Sequence, residues 1–161
     1  MGLQETDKVK VREAEGKGPI QKFLSETARE HKVWIIGGSV PLASDDPKKV
    51  RNSCLVYDDK GKQVARYDKM HLFGFQMGDE QYSEERTIQP GSSVQTVDTP
   101  FGRIGLSICY DLRFPQLYRR LAQKGAMVFT IPSAFTVPTG QAHWHVLMRA
   151  RAIENGAFVI A

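Results

Sequence analysis

The composition of this 161-residue chain, with 41% hydrophobic and 25% charged residues, is that of an ordinary globular protein. The length fits one domain with a sizeable core. The formal net charge of +4 comes from a mild excess of basic residues (22 against 18 acidic ones) spread along the chain, which favours a solvated surface over nucleic-acid binding.

The cysteine content and the N-terminus indicate where the protein works. The two cysteines, Cys54 and Cys109, form neither a CxxC pair nor a zinc pattern, and so few cysteines are typical of a cytoplasmic protein. The polar N-terminus lacks the apolar stretch of a signal peptide. The sequence has no run of about 18 apolar residues, so it predicts no membrane span.

The chain begins with a predicted irregular segment, a helix and a strand. Residues 1–17 are charged and without periodicity, which predicts an irregular surface segment. Pro19 begins a helix, because its fixed φ suits the first turn. One face of this helix is predicted to be buried, since apolar or small residues recur at helical spacing: Ile20, Phe23, Leu24, Thr27 and Ala28. The apolar run 33–36, ending at Gly37-Gly38, predicts a short strand buried on both faces.

A hairpin and a long loop come next. Residues 41–49 have the composition of a loop, and residues 53–57 and 63–67 flank turn residues in the pattern of a β-hairpin. Residues 69–91 show no clear periodicity. A loop of that length inside a domain is usually functional or disordered.

The second half alternates strands with helices, which predicts an α/β fold. In chain order we expect strands at 94–97 and 103–108, a helix after Cys109 that Gly125 ends, a strand at 127–131, a helix at 141–155 and a strand at 158–161. Since the sequence stops within an apolar strand, we expect that a C-terminal portion is missing.

In the segment RIGLSICYDLRFP, residues 103–115, a predicted strand ends at a turn that contains Cys109, and a helix follows. Ligands enter open α/β sheets at the carboxyl ends of strands, and a nearby helix N-terminus favours a thiolate. The alternative is a buried core cysteine, since free cysteine behaves as a small hydrophobe. Asp111 and Arg113 are expected to pair and brace this turn.

Two further segments contain charged residues that could take part in catalysis. Lys69, in YDKMHLF at the end of a strand, could neutralise a thiolate and stabilise an oxyanion; the alternative is an exposed surface lysine. Glu84 and Glu85 occur in YSEERTIQPG, where the alternative is solvated charge.

Other kinds of site lack support in the sequence. His143 and His145 would point about 200° apart on a helix, which disfavours metal binding. No GxSxG, GxGxxG or Walker A pattern occurs, so neither a serine hydrolase nor a cofactor is expected. A thiol protease would need a histidine base, for which His71 is the nearest candidate.

Together the segments YDKMHLF, YSEERTIQPG, GRIGLSICYDLRFP, PSAF and HWHVLMRARAIENGAFVIA resemble the nitrilase superfamily of carbon–nitrogen hydrolases, in particular the Nit-type amidases. The resemblance covers residues 18–161. It implies an α-β-β-α sandwich, and we interpret residues 1–161 as a partial domain that lacks the first strand and helix and the C-terminal strands. It also implies a small-molecule amide substrate, no metal, and homo-oligomers that pair through the helix after Cys109 and the helix at 141–155.

The resemblance also assigns roles to individual residues. Cys109 matches the nucleophile that forms a thioester, and Lys69 matches the lysine that stabilises the oxyanion. Glu84 matches a glutamate that positions the lysine and the substrate; alignment on Pro90-Gly91 favours it over Glu85.

Two smaller groups complete the implied site. The backbone N–H of Tyr110, directly after the nucleophile, is expected to complete the oxyanion hole. Ser133 and Ala134, in PSAF, resemble a stretch that lines the substrate.

One member of the family's Glu–Lys–Cys triad has no match. The general-base glutamate lies in an LPE-like segment, and no such segment occurs; Glu5, Glu13 and Glu15 sit in polar surroundings. We expect the base upstream of Met1. The implied activity is that of an amidase acting on ω-amides or deaminated glutathione. The alternative is a catalytically inactive fragment or scaffold of the same fold.

Overall fold

The computed structural model describes residues 6–78 and 80–161. The chain consists of two compact units, here called the N-terminal unit (Met1–Ser92) and the C-terminal unit (Ser93–Ala161). Both contain helices and strands, so the predicted α/β class is confirmed. Within the two described ranges, none of the helices is both long enough and apolar enough to cross a membrane.

The N-terminal unit contains a three-stranded antiparallel sheet and a separate hairpin. Strand β2 is central, with β1 and β3 on either side of it, and β4 pairs with β5. The elements in chain order are α1 (Asp7–Lys10), α2 (Pro19–His31), β1 (Ile35–Ala43), β2 (Val50–Tyr57), β3 (Gln63–Asp68), β4 (Gly74–Met77), β5 (Glu80–Ser83) and a 3₁₀ turn (Glu84–Arg86).

The core of this unit lies where α2 covers the sheet. It is built from apolar residues of α2, β1 and β2, namely Ala28, Val40, Leu42, Leu55 and Tyr57, with Leu24 and Ile35 packed against them. A Cβ at Gly37 would lie 2.6 Å from Leu24 Cδ1, so a larger residue there would require the Leu24 side chain to shift. The predicted helical face is therefore confirmed for Leu24 and Ala28, while Phe23 is exposed.

The predicted strand at 33–36 is wrong in its extent and in its burial. Strand β1 continues through the two glycines to Ala43, with a bulge between Gly37 and Val40, where Ser39 has a φ of 68°. Pro41 is tolerated because β1 is an edge strand of the sheet, and its carbonyl accepts the Glu13 N–H at 2.9 Å. Val33 is exposed and Ile36 only half-buried.

Residues 6–17 are more ordered than their composition predicts. After α1, Glu13 bridges to Leu42, and its carboxylate accepts hydrogen bonds from the backbone N–H groups of Ile20 (2.6 Å) and Gln21 (3.1 Å). Glu13 is buried, and its polar contacts provide the N-terminal cap of α2. Glu5 lies outside the described residues.

The predicted long loop at 69–91 contains the β4–β5 hairpin and the 3₁₀ turn. Phe73 and Phe75 are two residues apart and share one face, on which Tyr82 packs against both, with ring centroids at 5.6 and 6.1 Å. Gly78 adopts a positive φ of 59° in the turn. The strands are only four residues long, too short for their alternation to stand out in the sequence.

The C-terminal unit is a four-stranded sheet with two helices. The strand order is β6-β7-β8-β9; β6 and β7 are antiparallel, and β7, β8 and β9 are parallel. The elements are β6 (Thr96–Thr99), β7 (Gly102–Leu106), a 3₁₀ turn (Cys109–Arg113), α3 (Pro115–Gln123), β8 (Val128–Thr130), α4 (Val137–Asn155) and β9 (Phe158–Ile160).

One helix of this unit follows the predicted turn and the other begins earlier than predicted. Cys109 lies in a 3₁₀ turn, and α3 begins after it at Pro115, in agreement with the predicted turn followed by a helix. Helix α4 starts at Val137, before the predicted Gln141. Gly125 and Gly156 follow the two helices with positive φ values of 84° and 59°, as expected of residues that end helices.

Candidate active site

Lys69 and Glu84 form a buried ion pair in the N-terminal unit. Lys69 Nζ lies 2.6 Å from Glu84 Oε2, and the two residues are 2% and 8% exposed. The same oxygen accepts the backbone N–H of Phe73 at 2.8 Å. An exposed surface lysine, the alternative considered for Lys69, is therefore excluded.

The strand ends bring these two residues together. The Lys69 N–H donates to Asn52 O at 2.8 Å, which continues the β2–β3 ladder by one residue. The Glu84 N–H donates to Phe73 O at 2.9 Å, which extends the β4–β5 hairpin beyond its pairing of Gly74 with Ser83. Both side chains thus follow directly from a strand terminus, where the backbone is held on one side.

The Lys69 ammonium has unused hydrogen-bonding capacity. It carries three N–H donors, and in the described part of the chain its side-chain acceptor is Glu84 Oε2. A buried charged group with one partner can bind a further acceptor such as an oxyanion. Glu85, in contrast, is exposed. The role of Glu84, chosen from the motif spacing, stays a prediction.

Cys109 occupies a strained turn in the C-terminal unit. Strand β7 ends at Leu106, and Cys109 follows with a φ of 50°, a value unusual for any residue with a side chain. Its N–H donates to Pro132 O at 3.0 Å, and the N–H of Ile108 donates to Asp111 Oδ2 at 2.9 Å. Asp111 therefore braces the turn, as predicted, through a backbone group. Strain of this kind is concentrated at functional sites.

Buried polar contacts hold the base of this turn. Ser107 Oγ donates to Thr130 O at 2.9 Å and lies 2.8 Å from the hydroxyl of Tyr118. Burial raises the pKa of Tyr118 above its ordinary value, so the phenol stays protonated. The guanidinium of Arg151 is 5.4 Å from the Tyr118 ring centre, and its Nε donates to Leu112 O at 3.0 Å. Arg151 also pairs with Glu154 at 3.0 Å.

The two cysteines differ in accessibility. Cys54 is 0% exposed inside β2, and burial raises the pKa of its thiol to about 12. Cys109 is partly exposed. The alternative of a fully buried core cysteine is therefore confirmed for Cys54 and excluded for Cys109. Of the two, only Cys109 combines access to solvent with a strained turn.

The remaining predicted residues lie in the C-terminal unit. The ring of Tyr110 packs edge-on against Phe114, with centroids 5.5 Å apart; its N–H as an oxyanion donor stays a prediction. Ser133 lines a cleft of about 490 Å³ together with Phe135, Trp144 and other residues of the loop and of α4. Ala134 is exposed on the same loop. Roles for Ser133 and Ala134 in substrate binding also stay predictions.

Two features of the site have no counterpart in the sequence interpretation. The Phe73 N–H on Glu84 depends on an unrecognised hairpin, for which the spacing of Phe73, Phe75 and Tyr82 was the available signal. Arg113 was assigned to Asp111, but its guanidinium contacts His143 and two aromatic rings. Across residues 6–78 and 80–161, there is no group of three or more potential metal-binding side chains.

Comparison with known proteins places the chain in a family. The family described as Carbon-nitrogen hydrolase matches residues 3–161. The deaminated glutathione amidase of Yersinia enterocolitica is 46% identical over 89% of this chain and 51% of its own length. The omega-amidase NIT2 of Homo sapiens is 43% identical over 88% of this chain and 51% of its own length.

A solved structure extends the likeness to the fold. Saccharomyces cerevisiae Nit3, described as a member of branch 10 of the nitrilase superfamily, superimposes with a TM-score of 0.85 at 34% identity, over 97% of this chain and 55% of that protein. The chain spans about half the length of the curated relatives that it matches. Since the family match covers almost every residue, the chain belongs to the carbon–nitrogen hydrolase family of the nitrilase superfamily.

Proposed function

We propose that this chain carries the nucleophile and the cationic pair of an amidase that hydrolyses non-peptide carbon–nitrogen bonds in small amides. The observation that carries the proposal is the buried Lys69–Glu84 pair. A buried ammonium whose N–H donors are not all used destabilises the folded chain, so its presence supports a functional role. The names of the relatives, an ω-amidase and an amidase of deaminated glutathione, support the reaction class. Residues 1–161 are, in this proposal, part of one hydrolase domain.

The proposed reaction has two steps. Cys109 Sγ attacks the amide carbonyl carbon, the carbon–nitrogen bond breaks, and ammonia or an amine leaves with a proton while a thioester forms. Water then attacks the thioester, releases the carboxylic acid and returns the thiol. Each step passes through an oxyanion, which the Lys69 ammonium and the Tyr110 N–H stabilise.

The other proposed residues position these groups. Glu84 holds the Lys69 ammonium through the 2.6 Å contact and prevents it from turning away. Ser133 and Ala134 contact the substrate after strand β8. The substrate is a small amide, and no metal or cofactor takes part.

A second candidate is a catalytically silent scaffold of the same fold. One observation favours it: the sequence contains no LPE-like segment to supply the general-base glutamate. Among the glutamates of the N-terminal unit, Glu13 is occupied as the cap of α2, and Glu84 binds Lys69. Loss of a general base typically slows a reaction by about 10²–10⁴-fold.

Intact-mass spectrometry and ammonia release distinguish the two candidates. The chain is mixed with a panel of ω-amides; an amidase releases many equivalents of ammonia per chain, while a nucleophile without a base accumulates a thioester adduct and releases at most one equivalent. Cys109→Ala should abolish both signals, and Cys54→Ala, the matched control, should leave both unchanged. If no amide gives either signal, or if Cys109→Ala retains one, the proposal of Cys109 as nucleophile is wrong.

We further propose that the protein is cytoplasmic and self-associates through α3 and α4. Val146 and Ile153, seven residues apart on α4, are 67% and 80% exposed and share one face. Burial of such side chains favours association. Light scattering should show a dimer that Ile153→Glu converts to a monomer, whereas a stable monomer for the unaltered chain would contradict the proposal.

A further inference from the structure

Helix α4 is anchored in the C-terminal unit by an arginine. Of its 19 residues, all of which the structure describes, only Arg151 is buried, at 5% exposed. A helix is normally anchored by an apolar face, and removing a guanidinium from water is expensive. A buried charge at this position therefore indicates a requirement that an apolar side chain would not meet.

The Arg151 guanidinium completes the hydrogen bonding of the turn that contains Cys109. In a 3₁₀ turn each carbonyl oxygen accepts the N–H of the residue three positions later. The carbonyl of Leu112 would need the N–H of residue 115, but Pro115 has none. Arg151 Nε donates to Leu112 O at 3.0 Å instead. A side chain from α4 thus supplies the donor that the local sequence lacks.

The same guanidinium contacts a hydrogen-bonded chain on the other side of Cys109. It lies 5.4 Å from the ring centre of Tyr118. Ser107 gives its single hydroxyl proton to Thr130 O at 2.9 Å, so the Tyr118 hydroxyl, 2.8 Å away, donates to Ser107 Oγ. Ser107 precedes the nucleophile by two residues. Arg151 therefore supports the turn directly after Cys109 and, through Tyr118, the strand end before it.

Electrostatic effects on Tyr118 relate the guanidinium to the nucleophile. Burial raises the pKa of Tyr118 above its ordinary value. The charge of Arg151 offsets part of this rise, whereas the charges of Asp111 and Cys109 add to it. Charges shift a pKa mainly over short distances, so the guanidinium and the thiol both lie near this one phenol.

We propose that Arg151 is a positioning residue of the nucleophile, which holds the Cys109 turn in the conformation that presents the thiol to the amide. Cys109 has a φ of 50°, and a residue keeps such a strained value only where its surroundings impose it. The inference rests on the proposed function for the reaction that the thiol performs. Because the guanidinium does not touch the substrate, it affects the rate of the reaction at Cys109 and leaves amide binding unchanged.

Thioester formation at Cys109 separates positioning from binding. Arg151→Met keeps an apolar stem and removes the donors. Its maximal rate of adduct formation should be lower by about tenfold to a hundredfold, since a misplacement of about 1 Å can cost that much. The amide concentration that gives half the maximal rate should change by less than about twofold. A change in that concentration alone, or in neither value, would overturn the inference.

Two further variants accompany this measurement. Arg149→Met removes an exposed arginine from the same helix; it is the matched control and should leave both values unchanged. Pro115→Ala restores an N–H three residues after Leu112, which can donate to the same carbonyl. Added to Arg151→Met, it should recover part of the lost maximal rate, and a folded double variant without any recovery would contradict the role of the Leu112 carbonyl.

Hydrogen exchange tests the turn without requiring any reaction. The Phe114 amide donates to Asp111 O within the turn region, and the Leu106 amide donates to Gln95 O outside it. In Arg151→Met the Phe114 amide should exchange at least about tenfold faster, while the Leu106 amide should be unchanged. Equal acceleration at both amides would assign Arg151 to the stability of the whole unit and would overturn the inference.

Failure of the proposed function gives a different result from failure of this inference. If no amide forms a thioester on the unaltered chain, the proposed function is wrong, and the exchange comparison alone decides whether Arg151 holds the turn. If Arg151→Met does not fold, Arg151→Lys replaces it. Lysine keeps the charge opposite Glu154 but lacks the planar set of donors that reaches Glu154 and Leu112 O together. Exchange at Phe114 as slow as in the unaltered chain would then overturn the inference.

Discussion

Lys69 Nζ and Glu84 Oε2 meet at 2.6 Å in the buried part of the N-terminal unit, although 15 residues separate them in the sequence. The contact depends on two separate β structures, since Lys69 continues strand β3 and Glu84 extends the β4–β5 hairpin. Removing two charges from water is expensive. Variants of this pair can therefore be compared both in their free energy of unfolding and in thioester formation at Cys109.

Breaking the pair should destabilise the chain more than neutralising a neighbouring charge. Glu84→Gln leaves the Lys69 ammonium buried without a counter-charge, which should lower the free energy of unfolding by about 3 kcal/mol. Glu85→Gln, at the adjacent exposed position, should change it by less than about 0.5 kcal/mol. Urea unfolding followed by circular dichroism measures both, and equal effects would contradict the burial of the pair.

Replacing both partners should restore stability without restoring function. The double variant Lys69→Met with Glu84→Met exchanges the ion pair for apolar side chains of similar length, an exchange that is often neutral or stabilising. Its free energy of unfolding should exceed that of Glu84→Gln by about 2 kcal/mol. This double variant should form no thioester at Cys109, because it lacks the Lys69 ammonium. A double variant that forms the thioester at the normal rate would exclude Lys69 from the reaction.

The aromatic cluster of Phe73, Phe75 and Tyr82 should keep the hairpin closed and Glu84 in place. An isolated two-stranded hairpin is marginally stable, and an aromatic pair contributes about 0.5–1.5 kcal/mol. Phe75→Ala should therefore accelerate hydrogen exchange of the Glu84 amide, which donates to Phe73 O, by about tenfold. Phe101→Ala, at an exposed position of the C-terminal unit, serves as the control. Unchanged exchange in Phe75→Ala would show that the rings do not hold the hairpin.

Glu13 should stabilise α2 as its N-terminal cap. Its carboxylate accepts the N–H groups of Ile20 and Gln21 and the side-chain amide of Gln21 at 3.0 Å. Glu13→Ala removes these acceptors from buried donors and should cost about 1–3 kcal/mol of unfolding free energy. Glu30→Ala, an exposed glutamate of the same helix, should cost much less. Thermal unfolding of the two variants compares them directly.

The Cys54 thiol should make the fold sensitive to alkali. Burial raises its pKa from 9.0 to about 12, so the folded chain retains a proton that the unfolded chain releases. The stabilising contribution is complete below pH 9 and is lost as the pH rises towards 12, by about 1.4 kcal/mol per unit. Unfolding between pH 9 and pH 10, below the range in which the buried phenol of Tyr118 contributes, should show this slope in the unaltered chain and in Cys109→Ala. Cys54→Ala should lack it, and a slope that persists there would assign the effect to other groups.

The sequence determined the features that depend on neighbouring residues. The α/β class, the helix that begins at Pro19, the 53–67 hairpin and the glycines after the helices follow from periodicity, turn residues and backbone preference. The spacing from Pro90-Gly91 favoured Glu84 over Glu85, and Glu84 is the buried one. Cys109 stood out because its segment has the pattern of a strand followed by a turn.

Only the tertiary structure decided which distant groups meet. The contact between Lys69 and Glu84 requires two strand pairings, and no local pattern encodes a pairing partner. The sequence around Glu13 suggests a surface charge, but in the fold the backbone N–H groups at the start of α2 donate to the Glu13 carboxylate. The sequence suggests Asp111 as the partner of Arg113, but α4 and the loop before it bring His143 and Phe135 to the guanidinium. Charged and polar side chains form hydrogen bonds and ion pairs with the groups that the fold brings close to them. Their burial and their partners therefore depend on long-range packing, whereas helices and strands depend mainly on local sequence.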